Sequence, residues 1–277
     1  MNNVVKMKNM SRRRFFKRAA RNMLFSDWVC QIFAFIVVGA FFIGVNHFGT
    51  SAALIVGELT QNIYLTGFVV CFFAFVALAM VIPLLYGLVC FEINAVSNQK
   101  GVLSDLFCAF SSGEKLMRSY SMFFGVFFRC VLWYLPAIAV YCFRTFVYEK
   151  GMLLSLSLGG IDVVYFLLNT LLVITLYLGF TLSIGVIVGI YLTVKREDKR
   201  VEECFFLAKI VLYKNRFELS KLALSFLPLF VLSLFSIGFL FVMYTAPYMM
   251  IAFVMFSKYL HEKYNLAHNP ENLYVNQ

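Results

Sequence analysis

The sequence predicts an all-α protein, a polytopic transmembrane helical bundle of about six spans with amphipathic helices at one membrane face. Two features of the 277 residues lead there. Hydrophobic residues make up 62% and charged residues only 14%, with 33 Phe and 15 Tyr, far more apolar surface than a water-soluble domain can hide. The apolar residues also fall in stretches long enough to cross a ~30 Å hydrocarbon core, which takes roughly 20 residues in a helix.

The first 28 residues form a basic segment. From Arg12, the residues Phe15, Phe16, Ala19, Ala20, Met23 and Leu24 recur at helical spacing, with Ser11 as N-cap. Arg12, Arg13, Arg14, Lys17, Arg18 and Arg21 supply the other side. Such a helix is expected in the headgroup plane, with its rings in lipid and its cations on anionic headgroups. "SRRRFFK" (Ser11 to Lys17) also resembles a twin-arginine export signal. Against that, Lys17, Arg18, Arg21 and Asp27 separate the pair from the apolar run, and five further spans follow.

The membrane domain is expected over 29–260. Its first two spans fall at 29–45 and 65–91, the latter holding Pro83. A loop over 92–120 leads to a third span at 121–143, which holds Pro136 and Arg129. A fourth follows at 163–194, where "GVIVG" (Gly185 to Gly189) is a small-xxx-small step that lets helices approach closely. In the loop over 195–219, Val201, Phe205, Ala208 and Leu212 line one face of an amphipathic helix. Between Lys221 and Lys258 no charge occurs, and a single helix there would run about 54 Å, well beyond one bilayer. The stretch therefore divides near "SIGF" (Ser236 to Phe239), where Gly238 permits a tight turn. That gives spans at 220–237 and 240–258, with Pro228 in the fifth and Pro247 near the start of the sixth, ahead of a polar tail at 261–277.

Lys and Arg set the orientation. All but three of the 24, namely Arg129, Arg144 and Lys150, fall on one side of these spans. Positive charge gathers on the cytoplasmic face, so both termini are expected in the cytoplasm of a bacterial cell membrane. The net charge of +10 thus belongs to a membrane face rather than to a nucleic-acid partner.

"PLLYGLVCFEINAVSNQKGVLSDLFCAF" (Pro83 to Phe110) resembles the hallmark of an uncharacterised bacterial membrane family, domain of unknown function nine-seven-five. That hallmark is a Pro-Leu-Leu-x-Gly span end, a short polar link and Ser-Asp-Leu-Phe. "LSF" (Leu224 to Phe226) and "SIGFLFVMYTAPYMMIAF" extend the resemblance, which implies a six-pass bundle and no particular activity. The chain departs from the family in lacking a glycine near Lys214 and in its long link from Tyr148 to Asp162.

No H-E-x-x-H, G-x-S-x-G, P-loop or G-x-G-x-x-G occurs, and the three His are scattered. The seven Cys form no CxxC pair and read as free thiols. The chain is therefore expected to be non-enzymatic, with no catalytic, metal or cofactor site. Its expected role is that of an accessory, assembly or protective component, of the peptide-immunity kind, with a protein partner within the membrane. The candidate polar site is Arg129, set inside a span at a cost of about 2.5 kcal/mol or more. Either it snorkels to the headgroups or it pairs, with Glu92 as counter-ion. A small transporter or channel using Arg129 and helices interrupted by Pro83, Pro136 and Pro228 is the alternative.

Overall fold

In lipid each backbone N–H must be satisfied within its own segment, and helices achieve this. The computed structural model describes residues 12–97, 101–151, 158–236 and 238–268, and no strand occurs among them. Ser11 and the tail beyond His268 lie outside the described residues. In chain order the helices are α1 (Arg12–Ser26), α2 (Trp28–Thr60), α3 (Ile63–Val96), α4 (Gly113–Gly151), α5 (Leu158–Ser183) and α6 (Val186–Lys195). They continue with α7 (Val201–Leu212), α8 (Arg216–Leu224), α9 (Leu227–Phe235) and α10 (Ala246–His268). A 3-10 segment, Leu103–Ser111, precedes α4, and a π segment, Phe241–Thr245, leads into α10.

Six stretches are long and apolar enough to cross a membrane: Trp28–Thr60, Ile63–Val96, Gly113–Val147, Val163–Lys195, Arg216–Phe235 and Phe241–Leu266. The division expected within the last apolar run occurs at Gly238, whose φ of 80° is in the left-handed region that glycine adopts without strain. Across this turn, Ser233 and Thr245 bond through their hydroxyls at 3.0 Å.

Several helices outrun the expected spans. α2 continues past 45 because nothing between Asn46 and Thr60 breaks a helix. Asn46, Thr50 and Thr60 turn their polar groups onto carbonyls one turn back. It ends at Gln61, with a φ of 50°, and Asn62 caps α3 by accepting from Tyr64 and Leu65 N–H. Span four, expected to be continuous, is divided by a turn at Ile184–Gly185 into α5 and α6.

Pro83 and Pro136 do not break their helices, contrary to the sequence expectation. A proline removes the donor to the carbonyl four residues back, which for Pro83 is Ala79. The Tyr120 hydroxyl, from α4, donates to that carbonyl at 2.6 Å, so α3 runs on without an orphaned acceptor. Pro228 falls in the first turn of α9, where its missing N–H costs nothing. Pro247 is the second residue of α10, one residue beyond the π segment.

Packing is uneven. At one end α1, α6, α7, α8 and α10 close with the last turns of α3 around a single core of Leu192, Leu212, Leu219, Phe226, Ile251 and their neighbours. Most of the described cations sit here, and we call this the cationic end. Gly185 and Gly189 bring α6 against α7, with Leu212 over the first and the Phe205 ring over the second. Away from this end α2 packs mainly on α3 and α4 mainly on α5, and their large apolar side chains are largely exposed. Lipid-facing helices look like this, since hydrocarbon takes the place of a protein partner.

The residues of the quoted motif have structural roles. A Cβ on Gly87 would collide with the Leu106 carbonyl, so glycine lets the 3-10 segment lie directly on α3. Asp105 accepts from Val102 N–H at 3.3 Å and from Asn94 Nδ2 at 3.0 Å, which caps the segment and ties it to α3.

Candidate functional site

Arg129 projects from α4 towards the cationic end. Its Nη1 donates to the Gly125 carbonyl one turn back at 2.9 Å, and its guanidinium lies 4.3 Å from the centre of the Phe205 ring on α7. Long side chains on a helix lean towards its N-terminus, and here that carries the charge about one turn nearer the cationic end. Cation–π contact with a partly desolvated ring is worth about 1 kcal/mol or more, offsetting part of the burial cost.

Glu92 is not its counter-ion. The Glu92 side chain is 0% exposed, its polar neighbour is Gln31 on α2, and it makes no ion pair. Neither carboxyl oxygen has a well-formed hydrogen bond, nor does Gln31 Oε1. The sequence expectation fails because helical spacing places each residue on its own helix but says nothing of which neighbour that face meets. Glu92 faces α2, while Arg129 faces α7.

Two cavities meet at Arg129. One, about 1200 Å³, follows α4 past Ser121, Phe128 and Leu132 to Arg200 on the approach to α7. The other, about 610 Å³, lies between α4, the α5–α6 turn and α7, and is lined by Trp133, Val186, Glu202, Lys209 and Arg216. The smaller cavity therefore gathers three cations, Arg129, Lys209 and Arg216, against one carboxylate, Glu202. The Nε of Arg216 is buried with no hydrogen-bond partner.

The basic stripe of α1 is present, but its apolar side meets protein rather than lipid. Phe16, Ala20 and Leu24 are buried, with the Phe16 ring 5.3 Å from Phe256 and 5.6 Å from Tyr259 on α10. The expected helix in the headgroup plane is thus an integral part of the core. The periodicity that identified its apolar face could not distinguish a lipid from a protein partner.

Arg12 pairs with Glu218 at 3.0 Å, and this bond raises the pKa of its guanidinium. Lys17 donates to the Ser225 carbonyl at 3.0 Å and lies 4.7 Å from the Phe226 ring centre. Burial, and then Arg13, hold its ammonium below the ordinary lysine value. Arg13, Arg14, Arg18 and Arg21 remain exposed. Arg14, Lys17, Arg18 and Arg21 frame a cleft of about 310 Å³ with Tyr248, whose hydroxyl donates to the Lys17 carbonyl.

One residue was missed in the sequence. Arg118 of α4 donates five hydrogen bonds to the carbonyls of Thr193, Arg196, Glu197 and Lys199, at 2.6 to 3.3 Å. This one guanidinium ties together the end of α6 and the turn after it, where the Arg196 carbonyl also accepts from Lys199 N–H at 3.3 Å. The charge-counting that assigned Arg118 to a membrane face carries no information about its bonds. No group of three or more His, Cys, Asp or Glu able to hold a metal occurs among the described residues. The cysteines are free thiols.

Comparison with family models, with curated proteins and with solved structures finds no match to this chain. Its function is therefore argued from its own geometry.

Proposed function

We propose that this chain is a non-enzymatic accessory, assembly or protective component of the bacterial cytoplasmic membrane, with both termini cytoplasmic. We propose also that it belongs with the family its Pro83–Phe110 stretch resembles. The observation that carries the first reading is the bareness of the third apolar stretch. In Gly113–Val147, only 6% of the most apolar window is buried within the protein. A helix that bundles with its own chain hides more than this, whereas one that seats against lipid and another membrane protein does not need to. The anionic inner leaflet suits the cations gathered at one end, and the roles of Gly87 and Asp105 give the family resemblance a physical basis.

The cavities that meet at Arg129 favour a second reading, a small transporter or channel. Proteoliposomes distinguish the two. The accessory reading expects ion and solute flux equal to that of protein-free vesicles. Saturable flux that Arg129→Leu abolishes would replace it with the transporter. A reporter fused after Gln277 is expected to be active on the cytoplasmic side, and activity outside would refute the orientation.

A further inference from the structure

The smaller cavity beside Arg129 has three properties that together define what it would hold. Its charge is unbalanced, with Arg129, Lys209 and Arg216 facing Glu202, and Arg129 and Arg216 form no ion pair. Arg216 lines it, and the Nε of this guanidinium is buried without a hydrogen-bond partner. Leaving such a donor unpaired costs free energy, which a shift of the Arg216 side chain towards an acceptor in the cavity would recover. Its lining beyond the charged groups is apolar, with Phe206 exposed, and the larger cavity continues from Arg129 along the flank of α4 past the exposed Phe128 and Leu132.

We propose that this groove is a binding site for a single anionic glycerophospholipid, its phosphate held by Arg129 and Arg216 and its acyl chains lying along the exposed flank of α4. A phosphodiester offers two free oxygens, which suit the forked donors of a guanidinium. A free phosphate would meet the same cations but would leave the apolar lining uncovered, so the shape favours a lipid. A zwitterionic lipid would bring its own cation into a cavity that already has three. The site is separate from the stripe on α1, whose exposed arginines attract anionic headgroups only as a surface field. It holds under either reading of function, since both an accessory protein and a transporter can carry a structural or regulatory lipid.

Trp133 lines the cavity and reports on it. The full chain carrying Trp28→Phe, which leaves Trp133 as its one tryptophan, is reconstituted in phosphatidylcholine vesicles and titrated with brominated phosphatidylglycerol or brominated phosphatidylcholine. Quenching of Trp133 is expected to reach half its limit at a mole fraction about tenfold lower for the anionic lipid, the size expected of a charge-assisted contact. Arg129→Gln with Arg216→Gln should erase the preference, while Arg14→Gln, on α1, should leave it intact. Arg129→Gln alone removes a side chain that bonds only its own helix and one ring, so it spares the fold and should still lower the preference several-fold. Excess inorganic phosphate should leave the quenching unchanged. The proposal is overturned if the two lipids quench alike, if Arg14→Gln matters as much as Arg129→Gln, if the preference is undiminished in Arg129→Gln, or if inorganic phosphate displaces the lipid.

Discussion

Arg118→Met tests how much of the packed end depends on one side chain. Met suits the interior of α4, so the perturbation is confined to what the guanidinium touches. Five bonds disappear. Two of them end on the carbonyl of Thr193, a residue that is fully buried, and the others end on Arg196, Glu197 and Lys199, which water can reach. A buried acceptor that loses its donors costs about 1–3 kcal/mol, and the wetter three add a few tenths each, for a total of about 2–4 kcal/mol. If that loss falls on local opening, the open population grows on the order of a hundredfold.

Cys204 is the natural reporter, since it is fully buried with its Sγ 4.0 Å from Nη2 of Arg118. In a chain whose other cysteines are replaced, alkylation of Cys204 by a water-soluble maleimide should accelerate by about that factor. Burial raises the pKa of this thiol and Arg118 opposes the shift, so losing Arg118 on its own would slow the reaction. Acceleration therefore reports opening. Arg118→Lys should lie between the two, because an ammonium cannot fork across several carbonyls. Labelling of Arg118→Met within about threefold of the parent would refute the reasoning, since it would put the bonds' worth below about 1 kcal/mol.

Gly87→Ala forces the Leu106 backbone off α3 and is expected to cost about 1–3 kcal/mol, seen as a lower melting temperature in detergent. Gly113→Ala, where an added Cβ meets nothing, is the control, and equal melting of the two would refute the close-approach argument. Glu92→Gln keeps the shape of a buried side chain that has no cation beside it, so it should melt at or above the parent temperature; a fall of several degrees would show that the carboxyl itself is required. Lys17 gives a pH signature. Its folded-state pKa lies below its ordinary value, so as pH rises the folded chain loses this proton first and stability increases up to the ordinary lysine value. Lys17→Met should flatten that alkaline rise in melting temperature, and an unchanged slope would refute it.

What could be read in the sequence was what depends on one segment at a time. The apolar stretches located six helices, and Gly238 located the last turn, because hydropathy and a left-handed glycine are local properties. The apolar face of α7 was equally legible, since Val201, Phe205, Ala208 and Leu212 repeat at helical spacing and all four are buried. What escaped belongs to pairs of segments. Pro83 looks like a break until Tyr120 is seen beneath it, and Arg129 invites a counter-ion until Phe205 is found in that place. Arg118 is indistinguishable in sequence from any other cation near a span, although its bonds hold the end of α6.

The length of the α2–α3 hairpin has a consequence for the surrounding bilayer. At 33 residues α2 is about 50 Å long, some 20 Å more than the hydrocarbon it would cross. In that surplus, Asn46, Thr50 and Thr60 bond to their own backbone and tolerate hydrocarbon, whereas His47 and the exposed Glu58 carry polar groups that do not. The waterline can therefore move along the turns around Thr50 without stranding those hydrogen bonds, but Glu58 holds the tip of the hairpin in water. The arm thus tolerates some variation in membrane thickness, with Glu58 setting the limit at its tip and the packed end fixing the protein's depth.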